Sequence, residues 1–377
     1  MISVHRIRPI IRKEFRQIVR DRRSLAVLLV VPAVMLVLFG YALNYDVTHV
    51  PLAIFDQDNT TTSREMVDGF LHTEYFDKVA TLSNEQQIDT VMKRKEAQAV
   101  LVIPVHFERD LRANRSVQIQ VLIDGSNATN ATAAAGYLQA MAQDYSTKVT
   151  LQALARNGFS RPALPIDFES RVWYNPELTS PKFLVPGLVG FILMISTVIS
   201  TSLSIVRERE KGTIEQIIVS PIHPMELIIG KTMPYVVISL FSTSLILVTG
   251  ALLFDVVIQG SIILLFLETL IFIFCGLGLG LWVSSVSDKQ ESAFQLATLV
   301  SFLPTFLLSG FAFPIRNMPV EIQAITYINP ARYFLWILRA IILRGAGIEV
   351  FWQQTLFMIA FAAAIVAISW TRMKKLF

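Results

Sequence analysis

Apolar residues are concentrated in long runs, which are separated by charged segments of very different length. A helix needs about 20 consecutive, mainly apolar residues to cross the hydrocarbon core of a bilayer. Runs of about this length cover residues 25–43, 183–206, 232–254, 261–286, 293–313 and 351–370. The pattern therefore predicts an α-helical polytopic membrane protein with six transmembrane helices.

The segment before the first run, residues 1–24, has a different periodicity. Its apolar residues recur at the spacing of one helical face, and basic residues cover the opposite face. The apolar set is Ile7, Ile10, Ile11, Phe15, Ile18 and Val19. We predict an amphipathic interfacial helix that lies in the headgroup layer. The alternative is that the basic residues only anchor the first span on the cytoplasmic side.

Residues 44–181 have the composition of a water-soluble domain, with charges of both signs and only short apolar runs. Strand-like runs are present at residues 51–55, 99–103, 117–123 and 172–174. Helix-like periodicity is present at residues 63–70, 84–95 and 133–154. An inserted α/β domain is therefore predicted, folded around a strand pair formed by residues 51–55 and 117–123.

The distribution of Lys and Arg predicts the orientation of the chain. Basic clusters occupy residues 1–23, 207–231 and 372–375, which six spans would place on one side of the membrane. Cytoplasmic loops are enriched in Lys and Arg. Both termini are therefore predicted to be cytoplasmic, and the α/β domain at residues 44–181 is predicted to be extracytoplasmic.

Residues 314–350 are the exception to this charge rule. They must lie on the outer side and yet carry Arg316, Arg332, Arg339 and Arg344. Their apolar stretch is divided by Arg339 and is too short to cross the bilayer. We therefore predict an outer re-entrant hairpin that is buried in protein.

Composition and charge exclude several classes of protein. The chain is 53% hydrophobic and only 16% charged, which is too apolar for a soluble globular protein. Its net charge of +4 does not indicate a nucleic-acid partner, because the basic residues lie beside the spans and form no single stripe. The single cysteine, Cys275, excludes an intrachain disulfide.

A charged insert at residues 207–231 separates the second and third predicted spans. Acidic and basic residues alternate at its start, and Gly212 and Thr213 then indicate a helix stop followed by a new helix with Glu215 in its first turn. We predict a cytoplasmic loop with a short amphipathic helix whose polar face is left for a partner. Its apolar side would contain Ile214, Ile217, Ile218 and residues 225–229.

Five stretches spread over nearly the whole chain carry a family resemblance. They are IRKEFRQIVRDRRS at residues 11–24, WYNP at 173–176, EREKGTIEQIIVSP at 208–221, LSGFAFPIRNMP at 308–319 and INPARYF at 328–334. Their content and order resemble type-2 ATP-binding-cassette exporter permeases with a large outer domain between spans one and two. The resemblance implies a permease in the cell (inner) membrane that exports a hydrophobic or drug-like substrate, powered by separate ATPase subunits.

The resemblance assigns the contact with the ATPase to the charged insert. The residues concerned are Arg207, Glu208, Glu210, Lys211, Gly212, Thr213, Glu215, Gln216 and Pro221. The implied partners are cassette ATPase subunits, a second copy or a similar permease in a dimer, and membrane lipid, with a periplasmic adaptor protein as a further candidate. No cofactor is expected on this chain, because ATP and Mg would be bound by the ATPase.

Motifs for enzymatic chemistry are not found in the sequence. The last part of the phosphate-binding loop motif is matched by Gly230, Lys231 and Thr232. The motif also needs a glycine at position 225, which is methionine in this chain. The histidines show no paired metal spacing, and no serine lies in a nucleophile-elbow motif. We therefore predict a transport subunit and not an enzyme.

Polar residues inside the apolar runs are candidates for a translocation path. Hydroxyl groups recur at helical spacing at Ser196, Ser200 and Ser204, and Thr243 lies in the third predicted span. Hydroxyls that face lipid gain nothing, so these residues are expected to face protein or a path for substrate. Packing contacts between helices are the alternative explanation.

Glu268 lies well inside the fourth predicted span. A carboxylate there is costly unless it pairs, binds a proton or lines a hydrated cavity. We place it on the translocation path and predict Arg332 or Arg339 as its ion-pair partner. A structural ion pair near the outer interface is the alternative.

A second interpretation comes from another functional class. The chain could be a membrane-anchored receptor or a secretion-scaffold protein, whose ectodomain binds a ligand or partner while the spans only hold it. Such a protein needs few spans and no elaborate inner loop. Copurification of a cassette ATPase would separate the two interpretations.

Overall fold

The computed structural model describes residues 4–42, 49–113, 115–156, 173–175, 179–212 and 223–373. The chain divides into two compact units. One comprises residues 45–171, and the other comprises residues 1–44 together with 172–377. Each unit has its own apolar core.

Helices dominate both ends of the chain, and the described strands lie between them. In chain order the elements are α1 (Val4–Arg20), α2 (Arg22–Ala42), β1 (Val50–Asp56), α3 (Thr61–Leu71), β2 (Phe76–Thr81), α4 (Glu85–Lys93), β3 (Ala99–Ile103), α5 (Phe107–Arg112), β4 (Gln120–Ile123), α6 (Ala128–Arg156), α7 (Ser180–Glu210), α8 (Pro224–Phe254), α9 (Ile262–Val286), α10 (Gln290–Leu308), a 3₁₀ turn (Ile315–Asn317), α11 (Val320–Thr326), α12 (Pro330–Arg344) and α13 (Ile348–Met373). A mainly helical protein with a small α/β region is thereby confirmed.

The unit of residues 45–171 contains a four-stranded sheet with the order β2-β1-β3-β4. β1 is parallel to β2 and to β3, and β4 is antiparallel to β3. Leu52 and Leu101 face a core shared with α3 and α6, whereas Ala53 and Val100 face a second core shared with α4. Burial on both faces explains why β1 and β3 are nearly continuous apolar runs.

The pairing of these strands differs from the prediction. β3 lies between β1 and β4, so the predicted pairing of residues 51–55 with 117–123 is wrong. β1 and β3 are the two inner strands of the sheet, and both are largely buried. Of the strand predicted at residues 172–174, residues 173 and 174 are not in a strand, and residue 172 lies outside the described part of the chain. β2 was missed because it is largely exposed apart from Phe76 and lacks apolar alternation.

In the other unit, five of the described helices are long and apolar enough to cross a membrane. They are Ser180–Glu210, Met225–Phe254, Ile262–Val286, Gln290–Leu308 and Ile348–Arg372. The first predicted span lies in α2, but the apolar part of α2, Leu28–Ala42, is shorter than these. The count of six spans therefore stays a prediction, with α2 as the remaining candidate.

The predicted span at residues 293–313 is too long at its C-terminal end. α10 ends at Leu308, and Gly310 then has a φ of +79°, a conformation that glycine adopts without steric cost. The hydroxyl oxygen of Ser309 accepts a hydrogen bond from the backbone N–H of Phe311 at 3.2 Å. These local contacts turn the chain away from the helix axis and into the segment that leads to α11.

Within the segment at residues 314–350, α12 is buried in protein, whereas most of the preceding part up to Ile328 is exposed. Phe334, Leu335 and Leu338 of α12 are fully buried in the apolar core of this unit. The ring of Phe334 stacks on that of Phe272 in α9, with ring centroids 3.9 Å apart. The depth of this segment in a membrane stays a prediction.

α1 lies against α8 and α2 in the same unit. Its approach to α8 is close because Gly230 has no side chain: a Cβ at that position would lie 2.7 Å from Cβ of Ile10. This contact fixes α1 beside the helices and places Lys13 and Glu14 at the candidate functional site.

Candidate functional site

The C-terminal end of α7 forms the start of the charged insert. α7 continues from the second predicted span to Glu210, and Lys211 is its C-cap. Gly212 follows with a φ of +67°, a left-handed conformation that commonly ends helices. The predicted helix stop at Gly212 is therefore confirmed. The remaining predicted contact residues lie outside the described part of the chain: Thr213, Glu215, Gln216 and Pro221.

The end of the insert is organised differently from the prediction. α8 begins at Pro224, so residues 225–229 are the first turns of the third predicted span and not part of a separate surface helix. Glu226 accepts a hydrogen bond from the backbone N–H of His223 at 3.0 Å and so closes a capping box at this end of α8. Lys231 consequently lies inside a helix and not in a loop.

Four charged side chains meet where α1, α7 and α8 converge. Glu208 of α7 accepts a hydrogen bond from Lys13 of α1 at 2.6 Å and pairs with Lys231 of α8 at 2.5 Å. Glu14 pairs with Lys13 at 2.8 Å and with Lys231 at 3.8 Å. The side chains of Glu14, Glu208 and Lys231 are only 3%, 10% and 5% exposed, whereas that of Lys13 is 53% exposed. We call these four residues the ion cluster.

The ion cluster gives Glu208 a position that the sequence did not predict. Its carboxylate lies between two lysines of the same chain and ties the end of α7 to α1 and α8. Lys13 and Glu208 are 195 residues apart, so no local pattern could have revealed their contact. The contact of Glu208 with an ATPase stays a prediction beside this intramolecular role.

The charge of Lys13 follows from the same contacts. Burial acts to lower the pKa of Lys13, but hydrogen bonds and attraction from Glu14 and Glu208 outweigh it and raise the pKa. The ammonium form is therefore favoured more strongly than in water. Two ammonium groups thus face two carboxyl groups in the ion cluster.

The end of α7 also contacts the turn between α9 and α10. Glu210 accepts a hydrogen bond from the backbone N–H of Gln290 at 2.7 Å. Arg207 donates from Nε to the side-chain oxygen of Gln290 at 3.3 Å. This contact was not predicted, although the polar run at residues 287–292 between two spans is a sequence signal for it.

Arg209 strengthens the same connection. It donates to the backbone oxygen of Ser287 at 3.0 Å and pairs with Asp288 at 3.5 Å. Lys211, the next basic residue, is exposed. At the described C-terminal end of α7, Lys211 and Gly212 are therefore well placed to touch another protein, because Arg207, Glu208, Arg209 and Glu210 contact their own chain.

A cavity of about 250 Å³ lies beside the ion cluster, between α1, α2, α7 and α8. Glu14 and Glu208 of the ion cluster line it, together with Ser200 and Ser204. The structure thus brings two of the three predicted path serines to one cavity. The third, Ser196, accepts a hydrogen bond on its carbonyl oxygen from the hydroxyl of Ser200 at 2.5 Å.

The other two predicted path residues lie away from this cavity. Thr243 is fully buried in α8, and its hydroxyl donates to the carbonyl oxygen of Ser239 in the same helix at 2.8 Å. Glu268 is buried in α9, where its Oε1 accepts a hydrogen bond from the hydroxyl of Thr355 in α13 at 2.8 Å. Their assignment to the path stays a prediction.

The predicted ion pair of Glu268 with Arg332 or Arg339 is wrong. The guanidinium of Arg332 lies 3.8 Å from the centre of the Tyr327 ring. That of Arg339 lies 3.9 Å from the centre of the Phe183 ring. Both arginines contact aromatic rings, and Glu268 contacts a hydroxyl. The cost of burying its carboxyl is therefore offset in part by the hydrogen bond to Oε1, and Oε2 is buried without a hydrogen-bond partner among the described residues.

Glu268→Gln should therefore leave both accumulation and thermal stability of the full-length permease unchanged. No Lys, Arg or His side chain of the described chain forms an ion pair with this carboxyl, and the amide oxygen of glutamine can still accept from Thr355. The matched control is Glu208→Gln, the same change inside the ion cluster, where breaking a buried pair costs about 3–5 kcal/mol. An equal drop in unfolding temperature for Glu268→Gln and Glu208→Gln would contradict the conclusion that Glu268 has no ion-pair partner.

These features define a class of protein: a multi-pass helical membrane protein with an inserted α/β unit and a charged site at the ends of its helices. Within the described ranges, no group of three or more His, Cys, Asp and Glu side chains is arranged to hold a metal ion.

The chain belongs to the ABC-2 family transporter proteins, whose family profile matches residues 22–371. The predicted type-2 permease family is confirmed. Members of this family are membrane components of ATP-binding-cassette transporters and work with cassette ATPase subunits.

Several relatives match over almost their full length. "Probable multidrug ABC transporter permease YbhS" of Escherichia coli (strain K12) is 34% identical over 377 residues, covering 100% of this chain and 98% of the relative. "Probable multidrug ABC transporter permease YbhR" of the same strain is 33% identical over 350 residues, covering 93% of each chain. "ABC transporter G family member 20" of Dictyostelium discoideum is 24% identical and covers 90% of this chain but only 46% of its own length.

Proposed function

We propose that this chain is the permease subunit of an ATP-driven exporter, which moves a hydrophobic or drug-like substrate out of the cytoplasm. The family and the names of the two Escherichia coli relatives support this proposal. The observation that carries it is the ion cluster. It joins the charged end of α7, where the ATPase is predicted to bind, to the helices that surround the cavity.

Energy enters this chain through a contact, because its sequence has no nucleotide-binding motif. The proposed ATPase contact is the segment from Arg207 to Pro221, with Lys211 and Gly212 on its exposed part and Glu208 behind them. α7 is a single helix of 31 residues. A displacement of its charged end therefore moves the serines of the cavity wall as well, since they lie on the same helix.

The assembly follows from the same proposal. Two permeases, either two copies of this chain or this chain with a similar one, would combine with cassette ATPase subunits that bind ATP and Mg. Both termini would be cytoplasmic, the unit of residues 45–171 would be outside, and the complex would lie in the cell (inner) membrane. A periplasmic adaptor protein is a further candidate partner on the outer side.

Lys211→Glu should reduce the amount of cassette ATPase that copurifies with the full-length permease by about tenfold, because it places a like charge at a contact that depends on complementary charges. Accumulation of the permease in the membrane should stay unchanged, since Lys211 is exposed. The measurement is affinity purification of the tagged permease after coexpression with its ATPase, together with substrate export from cells.

The matched control is Arg316→Glu, a charge reversal at an exposed residue in the segment predicted to lie outside. It should leave copurification at the wild-type level. Equal losses from both reversals would overturn the assignment of the contact to the end of α7. If no cassette ATPase copurifies with the wild-type chain, the alternative of a membrane-anchored receptor or secretion scaffold is favoured.

A further inference from the structure

The cavity between α1, α2, α7 and α8 is lined on one side by two acidic residues. A lysine that can move into water offsets part of their charge. Glu14 and Glu208 both line the cavity, and both pair with Lys13 at 2.8 and 2.6 Å. Lys231 is the second cation of the ion cluster and is fixed inside α8 with 5% exposure. Lys13 differs because 53% of its side chain is exposed. Its long, flexible stem allows its ammonium group to move into water without any change of the backbone.

Removal of Lys13 changes the charge that the cavity presents. The ion cluster then has two carboxyl groups and one fixed ammonium group, that of Lys231. The other charged residues in the cavity wall, Asp21 and Arg207, carry opposite charges and offset each other. The net charge of the ion cluster therefore becomes more negative by one unit at a buried position, where a cation is attracted more strongly than in water.

The remainder of the cavity wall is suited to a carbon skeleton. Ile18, Leu28, Ile199 and Leu203 line it with apolar side chains. The hydroxyl of Ser200 already donates to the carbonyl oxygen of Ser196 within α7, so it needs no hydrogen-bond acceptor from a ligand. The lining thus combines these apolar side chains and the polar Gln17, Ser204 and Tyr235 with an acidic pair, a combination that suits an amphiphilic monocation.

We propose that this cavity binds one amphiphilic organic monocation, whose positive group replaces Lys13 between Glu14 and Glu208. The site deepens the proposed function, on which it rests, by naming the charge and the binding place of the exported substrate. Its volume of about 250 Å³ lies below the roughly 300–1,000 Å³ of typical small-molecule sites, so it accepts a small cation or the cationic head of a larger molecule.

The test measures equilibrium binding of a small fluorescent N-methyl styrylpyridinium cation to the full-length permease in lipid nanodiscs, with empty nanodiscs subtracted. Lys13→Gln removes the competing ammonium group and should bind the probe about tenfold more tightly than wild type. Glu14→Gln removes half of the acidic pair and should bind it at least about tenfold more weakly. The uncharged, unmethylated styrylpyridine, tested in mildly alkaline buffer, should respond to neither change.

Two further variants make the outcome decisive. Arg12→Gln removes an equal charge from an exposed neighbour on α1 that lies outside the ion cluster, and it should leave probe affinity unchanged. Ser200→Phe fills the cavity from α7 without altering charge and should abolish binding, which keeps the proposal testable if Glu14→Gln does not fold. Equal effects of Lys13→Gln and Arg12→Gln, or unchanged binding to Ser200→Phe, would overturn the cavity as a cation site.

Binding and export together separate this inference from the proposed function. Cation binding that follows the expected order, in a chain that recruits no ATPase and exports nothing, would support the site and contradict the exporter. Export and ATPase recruitment that persist in Ser200→Phe, with cation binding unaltered, would support the exporter and contradict the site.

Discussion

Lys231→Met should cause the largest loss of folded permease of any single substitution in the ion cluster. It removes the cation that is fixed inside α8 from Glu14 and Glu208, which are both almost fully buried. Removal of one partner from a buried ion pair typically costs about 3–5 kcal/mol, because the other charge stays buried without compensation. The loss would be measured as the fraction of monodisperse permease in membrane extracts and as a lowered unfolding temperature.

The double variant Glu208→Gln with Lys231→Met should recover most of this loss. It removes the uncompensated charge together with its partner, and Glu14 keeps its contact with Lys13 at 2.8 Å. Lys289→Met, which alters an exposed lysine in the turn before α10, is the matched control and should have little effect. A double variant that is no better than Lys231→Met alone would show that Glu208 is not the group that Lys231 neutralises.

Gly280→Ala should separate α7 from α9 and lower both stability and export. A Cβ at Gly280 would lie 2.7 Å from Cβ of Thr201 and 2.8 Å from the backbone oxygen of Val198. The backbone oxygen cannot turn aside as a flexible side chain can, so the two helices must move apart. Overpacking of this kind typically costs about 1–3 kcal/mol. Thermal unfolding of the purified permease would measure it.

Gly136→Ala is the matched control for the glycine substitution. Gly136 also lies inside a helix, α6, but nothing lies within 4 Å of the Cβ that alanine would add there. Alanine should stabilise that helix by up to about 1 kcal/mol, since glycine is the weaker helix former. An unfolding temperature for Gly280→Ala at or above that of wild type would mean that the contact between α7 and α9 is not close in the membrane.

Hydrophobic periodicity predicted most elements because long apolar runs and alternating runs have few structural solutions. The run that became α9 was predicted at residues 261–286, within one residue of its observed start and at its observed end. Its glycines Gly276 and Gly280 lie against Thr197 and Thr201 of α7. β2 was missed because an exposed edge strand needs no apolar pattern.

The functional residues could be predicted only where charge interrupts an apolar run. This signal located Arg207, Glu208 and Glu210 at the end of α7. It could not show that Glu208 is buried between two lysines, since partners 195 residues apart leave no trace in a local pattern. The same limit applied to Glu268, where charge alone suggested an arginine partner and the structure supplies the hydroxyl of Thr355.

The sequence by itself determined that this is a multi-pass membrane protein with an α/β insertion and a charged site between two spans, because burial in lipid requires apolar runs that are visible residue by residue. Only the tertiary structure decided what the charged residues do. A lysine side chain is normally exposed to water, so Lys231 was predicted to lie in a loop. It lies in α8 because Glu208 of α7 and Glu14 of α1 neutralise it, and charge compensation between separate helices is a property of their packing.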